Sequence, residues 1–132
     1  MTKSYFNDAI VGNSRMLVCL NQKGELERLF WPHIDYPQHV ERFVTGIFDT
    51  RYKNSTSWLG EDNWQKEQSY VEDTNILITS FKDSGRGVFV EQYDYVLPQR
   101  DIFIRQYEIE NIGDQELELG FIQYSSMITT TP

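Results

Sequence analysis

The sequence predicts an all-β fold, an antiparallel β-sandwich, on three observations. Apolar residues mostly recur with a period of two, as in a chain whose side chains alternate between two faces. β-Branched and aromatic residues are abundant, and they fit a pleated, half-buried surface better than a helix. Short polar segments carrying Gly, Asn, Asp or Pro interrupt the apolar stretches at close intervals. Together these imply about eight to ten strands in two packed layers, within one domain covering 1–132.

The elements follow in order. Ser14 to Leu20 and Glu25 to Phe30 flank Asn21-Gln22-Lys23-Gly24, where the glycine supplies the positive φ of a hairpin turn. Arg42 to Asp49 is strand-like, and Gly46 within it marks a bulge or a close approach of another group. The stretch 54–63 is polar and turn-rich. Trp64 to Val71 and Asn75 to Phe81 are two further strands around Glu72-Asp73-Thr74, and 82–87 is a loop with its tip at Gly85-Arg86-Gly87. Gly87 to Val96, Asp101 to Glu110 and Gln115 to Ser125 are three long strands whose short connections predict an antiparallel meander. In the last of them Ile122 and Tyr124 lie opposite Leu117, Leu119 and Phe121, so apolar groups on both faces imply that something covers this end.

A chain of 132 residues holds one ordinary core. With 39% hydrophobic and 24% charged residues it is neither disordered nor a membrane span in composition. The formal net charge of −8 repels phosphate, so nucleic acid and anionic membrane are not expected partners, whereas a neutral ligand meets no such repulsion. Cys19, the single cysteine, lies in an apolar stretch and is expected to be a small core residue. No signal-peptide pattern opens the sequence, which predicts a cytoplasmic protein and makes the sequon Asn54-Ser55-Thr56 incidental.

Three segments resemble one family. The first is Ala9 to Leu20, with Gly12-Asn13, leading through the Gly24 turn into Leu29-Phe30-Trp31-Pro32-His33-Ile34-Asp35-Tyr36-Pro37; Pro32, Asp35 and Pro37 form a P-x-x-D-x-P loop. The others are Asp101 to Asn111 and Gln115 to Tyr124. In this order they resemble the N-terminal β-sandwich of bacterial glycoside hydrolase family 15 proteins, the glucoamylase and trehalase-like group. The resemblance implies a supersandwich placed before an (α/α) catalytic barrel, and an inverting hydrolysis of α-glucosides by two glutamates that belong to the barrel. The family's N-terminal domain is longer than this chain, so the resemblance implies a partial version of it, without the barrel and without catalytic residues of its own.

The chemistry available in the chain itself is modest. Glu108 and Glu110, and Glu116 and Glu118, share strand faces at roughly 6–7 Å, but a solvated sheet face explains them and nothing nearby would separate two pKa values. His33, Asp35 and His39 lie close together without the spacing of a metal motif, and Asp35 is expected to cap the turn before Pro37. No metal or cofactor is expected. Trp31, Tyr36, Trp58 and Trp64 could stack on a pyranose, although packing is the commoner role of such rings. The resemblance singles out Trp31, His33, Asp35 and Tyr36 as a loop that meets the barrel or touches sugar. The expectation is therefore an accessory domain docked on a catalytic barrel, with Trp31 and Tyr36 in an exposed apolar patch. The alternative is a free-standing module that binds an α-glucan oligosaccharide. Uncovered sheet edges would allow a homodimer.

Overall fold

A computed structural model of the chain describes residues 9–52 and 55–128. Asn54 of the sequon and the first eight residues, on which the absence of a signal peptide was read, lie outside them. The described residues form ten strands and no helix: β1 (Ala9–Gly12), β2 (Leu17–Leu20), β3 (Leu26–Phe30), β4 (Val40–Asp49), β5 (Thr56–Trp58), β6 (Gln65–Tyr70), β7 (Leu77–Asp83), β8 (Val88–Val96), β9 (Phe103–Asn111) and β10 (Leu119–Met127). All pairing is antiparallel, in three open sheets of order β1-β2-β3, β10-β4-β5 and β6-β7-β8-β9. The fold is a β-sandwich, as predicted.

The four-stranded sheet is the floor against which the other two pack. Its inner face along β8 presents Val88, Val90, Gln92, Asp94 and Val96, all buried, while the residues between them are half-buried on the outer face. Two apolar clusters result. One joins the first sheet to the floor through Val11, Val18, Leu20, Leu26, Val40, Leu77 and Val96. The other joins β4 to the floor through Ile47, Leu59, Trp64, Phe81, Val88 and Val90. Burying an aliphatic or aromatic side chain of this kind contributes about 1.5–3 kcal/mol.

A polar group lies between the clusters. Arg105 on β9 donates to Asp94 at 2.5 Å and to the Gly24 carbonyl at 2.9 Å, and Gln92 donates to the same two partners at 2.8 and 2.9 Å. The β2–β3 hairpin is thus fixed to the floor through a carbonyl at its turn, where Gly24 has φ +71°. Burial pushes the Asp94 carboxyl above its ordinary range, outweighing the attraction of Arg105 and the bonds from Arg105 and Gln92. Cys19 is buried and burial raises its thiol likewise, which fits an inert core position.

Three sequence expectations need correction. The last strand is not the third member of a meander: β10 pairs with β4 over its whole length and lies across the sandwich from β9, where Phe121 meets Tyr107 edge to face at 4.7 Å. The connection 112–118 is long enough to cross the roughly 10 Å between layers, and β4 offers β10 a partner of ten residues. The strand also begins at Leu119, which leaves Glu116 and Glu118 on an exposed connection. Finally, the polar stretch 54–63 contains β5, whose Trp58 lies against Gly46. A side chain at Gly46 would collide with Thr56 and Trp58, so this glycine marks a close approach, with no register shift beside it.

Candidate functional site

The loop between β3 and β4 carries all four residues singled out from sequence. Trp31, Ile34 and Tyr36 are 43%, 62% and 49% exposed, so their apolar surface faces outward as expected. The loop is nevertheless anchored. Trp31 donates its indole N–H to Asp101 Oδ2 at 2.9 Å, and Arg15 Nε donates to Asp101 Oδ1 at 2.7 Å. His33 packs edge to face on Tyr36 at 4.8 Å. At the far end of the loop His39 places Nε2 2.9 Å from the Trp31 carbonyl oxygen and Nδ1 3.3 Å from that of Ile128.

Asp35 does not cap the turn. Its carboxylate is 86% exposed, and its own backbone N–H donates to His33 Nδ1 at 3.2 Å. The ring two residues upstream supplies the acceptor that a carboxylate was expected to supply. His33, Asp35 and His39 do not converge: His39 is turned to backbone carbonyls, and among the described residues no three His, Cys, Asp or Glu side chains are grouped to hold a metal.

The Gly12-Asn13 pair explains how the neighbouring turns are held. Asn13 Oδ1 accepts from the backbone N–H groups of Arg15 and Met16, both at 2.8 Å, while its amide donates to the carbonyls of Leu97 and Arg100 at 3.0 and 3.1 Å. A Cβ on residue 12 would sit 2.5 Å from the Met16 carbonyl oxygen, so glycine is required there. The β1–β2 turn, the β8–β9 turn and the 31–39 loop are therefore one bonded framework at one end of the sandwich. Sequence reasoning missed Arg15 and Asp101, because nothing local marks a residue whose partner lies some 70 or more positions away, and it weighed His39 only as a metal ligand and not as an anchor of the loop.

This end exposes apolar surface beyond the loop. Ile102, next to Asp101, is 43% exposed, and Met127, which pairs with Val40, is 55% exposed. The bonds to Trp31 and Arg15 hold the Asp101 carboxyl below the usual carboxylate range. Trp64, in contrast, is core: it is 2% exposed and donates to Ser57 Oγ at 2.9 Å. The glutamates share no enclosed site. Glu108 and Glu110 stand exposed on β9, Glu116 and Glu118 on the connection after it.

A concavity of about 260 Å³ opens at the other end of β9 beside Arg51 and Arg86. Each guanidinium there is already committed to a carboxylate, Arg51 to Asp49 at 2.7 Å and Arg86 to Asp83 at 3.1 Å. The bond from Arg51 keeps the Asp49 carboxyl ionised below its ordinary range.

Over 118 residues, 89% of this chain, the sequence is 30% identical to an uncharacterized glycosyl hydrolase of Methanocaldococcus jannaschii. The matched stretch is 18% of that relative, so the chain spans about a fifth of its length. No family model and no solved structure matches. The chain is thus a β-sandwich related to one segment of a larger glycosyl hydrolase.

Proposed function

We propose that this chain is the non-catalytic N-terminal accessory domain of a glycoside hydrolase of the family 15, glucoamylase-like type, and that it supports a catalytic barrel acting on α-glucosides. The observation that carries the reading is the anchored loop: Trp31, Ile34 and Tyr36 face outward although Trp31 is tied through its indole N–H to Asp101 and through its carbonyl to His39. Free apolar loops tend to fold back on their own domain. A loop held outward is preorganised for a partner, and preorganisation lowers the entropic cost of docking. Similarity to a hydrolase several times longer supports a partner within the same protein.

The test uses the M. jannaschii hydrolase expressed without the segment that matches this chain. Mixed with the 132-residue chain, it is expected to form a one-to-one complex in sedimentation. Trp31→Ala with Tyr36→Ala is expected to weaken that complex about tenfold or more, as truncation of aromatic anchors does. Glucose release from maltooligosaccharides should track the complex and be absent from the chain alone. Absence of a complex, or hydrolysis by the chain alone, would overturn the reading.

A further inference from the structure

The docking end is bordered by a cleft of about 660 Å³ that the accessory role does not use. Its walls are the β1–β2 turn at Gly12–Ser14, the β6–β7 turn at Thr74–Ile76 and the end of β8 with the residues after it, Tyr95–Pro98. A concavity of this size is in the range of small-ligand sites. None of its ten lining residues is Asp, Glu, Lys, Arg or His. At the 24% charged content of the chain, ten surface residues would carry two or three charges.

The walls are tied by hydrogen bonds, and three of their polar side chains are open. Asn13 ties the first wall to the carbonyl of Leu97 in the third. In the second wall Thr74 accepts from Ile76 N–H at 3.2 Å and donates to the Val71 carbonyl at 2.8 Å, and Asp73 takes the left-handed φ of 59° that closes the turn. Ser14, Asn75 and Tyr95 have side chains with no hydrogen bond among the described residues. Between them lie Ile76, Leu97 and Pro98 and the ring of Tyr95, which is half-buried.

Hydroxyl and amide groups beside an apolar floor and an aromatic ring match the two kinds of surface a pyranose presents. The absence of cations in the lining, with a net charge of −8, disfavours anions, and the open hydroxyl and amide groups disfavour a purely apolar ligand. We infer that this cleft binds a neutral oligosaccharide, beside the surface that meets the barrel. The inference rests on the reading of the chain as part of a carbohydrate-active protein, but not on docking itself.

The probe is maltotriose, with cellotriose and an anionic trigalacturonate for comparison, titrated into the 132-residue chain and followed by backbone and indole NMR. Saturable shifts are expected around Ser14, Asn75 and Tyr95 for a neutral trisaccharide, unchanged by salt and weaker for the trigalacturonate. Tyr95→Ala should lower affinity at least about tenfold, within the range for losing an aromatic stacking partner. Asn75→Ala, in an exposed turn that tolerates it, should lower affinity with the spectrum of the fold intact. No saturable shift with either neutral sugar, shifts elsewhere on the domain, or tighter binding of the trigalacturonate would each overturn the cleft. A normal complex with the truncated hydrolase in the same preparation would show that the cleft alone had failed.

Discussion

Asp101 does the most to shape the candidate surface, because a single carboxylate holds both Trp31 and Arg15. Its pKa is lowered first by the Trp31 bond and then by Arg15. A carboxylate with a folded-state pKa below its unfolded value of 3.8 contributes stability that is present above that value. The contribution is lost as pH falls through the lower folded-state value. Acid is therefore expected to release the loop at Trp31. The indole N–H resonance of Trp31 should move with a midpoint below 3.8, while that of Trp64, bonded to neutral Ser57, should not follow it. Asp101→Asn, which keeps one acceptor and removes the charge, should abolish the titration. A Trp31 resonance that stayed fixed through this range would show that the loop is held by something else.

At the scale of elements, Arg105 joins three that are remote in sequence: the β2–β3 turn, β8 and β9. Its side chain is only 5% exposed and that of Asp94 is fully buried. Arg105→Met would leave a buried carboxylate without its cation, which costs about 3–5 kcal/mol. The sign with pH follows from Asp94. Its raised pKa means that it favours the fold below 3.8 and loses that contribution as pH rises through the folded-state value. Without Arg105 the pKa rises further, so the penalty in urea unfolding should be large at pH 7 and shrink on acidification. A penalty independent of pH would point to lost packing instead. These elements also show what the sequence discloses. The Gly24 turn and the alternation along β8 were legible because both are local. The partner of β10 was not, since a short connection permits a hairpin or a crossing equally well and only the unfilled edge of β4 decides. Trp31 and Tyr36 were legible as an exposed loop through the family pattern. Asp101, the anchoring role of His39 and the cleft were not, because their partners meet only after the turns have been brought to one end.

At the scale of the whole molecule the sandwich has an open flank. β9 and β10 are edge strands of different sheets, and their inward residues Ile109 and Phe121 are each 44% exposed. The two edges differ in protection. β9 carries Arg105, Glu108 and Glu110, whereas β10 has no Asp, Glu, Lys or Arg in nine residues. Charged side chains are a common guard against pairing of edges, and β10 lacks them. In a molecule with a net charge of −8, two copies approach with least repulsion where no charge is present. The isolated chain is therefore expected to form a two-fold dimer by antiparallel pairing of β10 with β10. Sedimentation at two concentrations should give an apparent mass that rises toward twice 15.6 kDa at the higher one. Tyr124→Lys places a charge near the centre of that pairing on a side chain already 51% exposed, so the fold should survive and the variant should remain monomeric at both concentrations. If the unaltered chain is monomeric at both, the free backbone of β10 does not pair with a second copy.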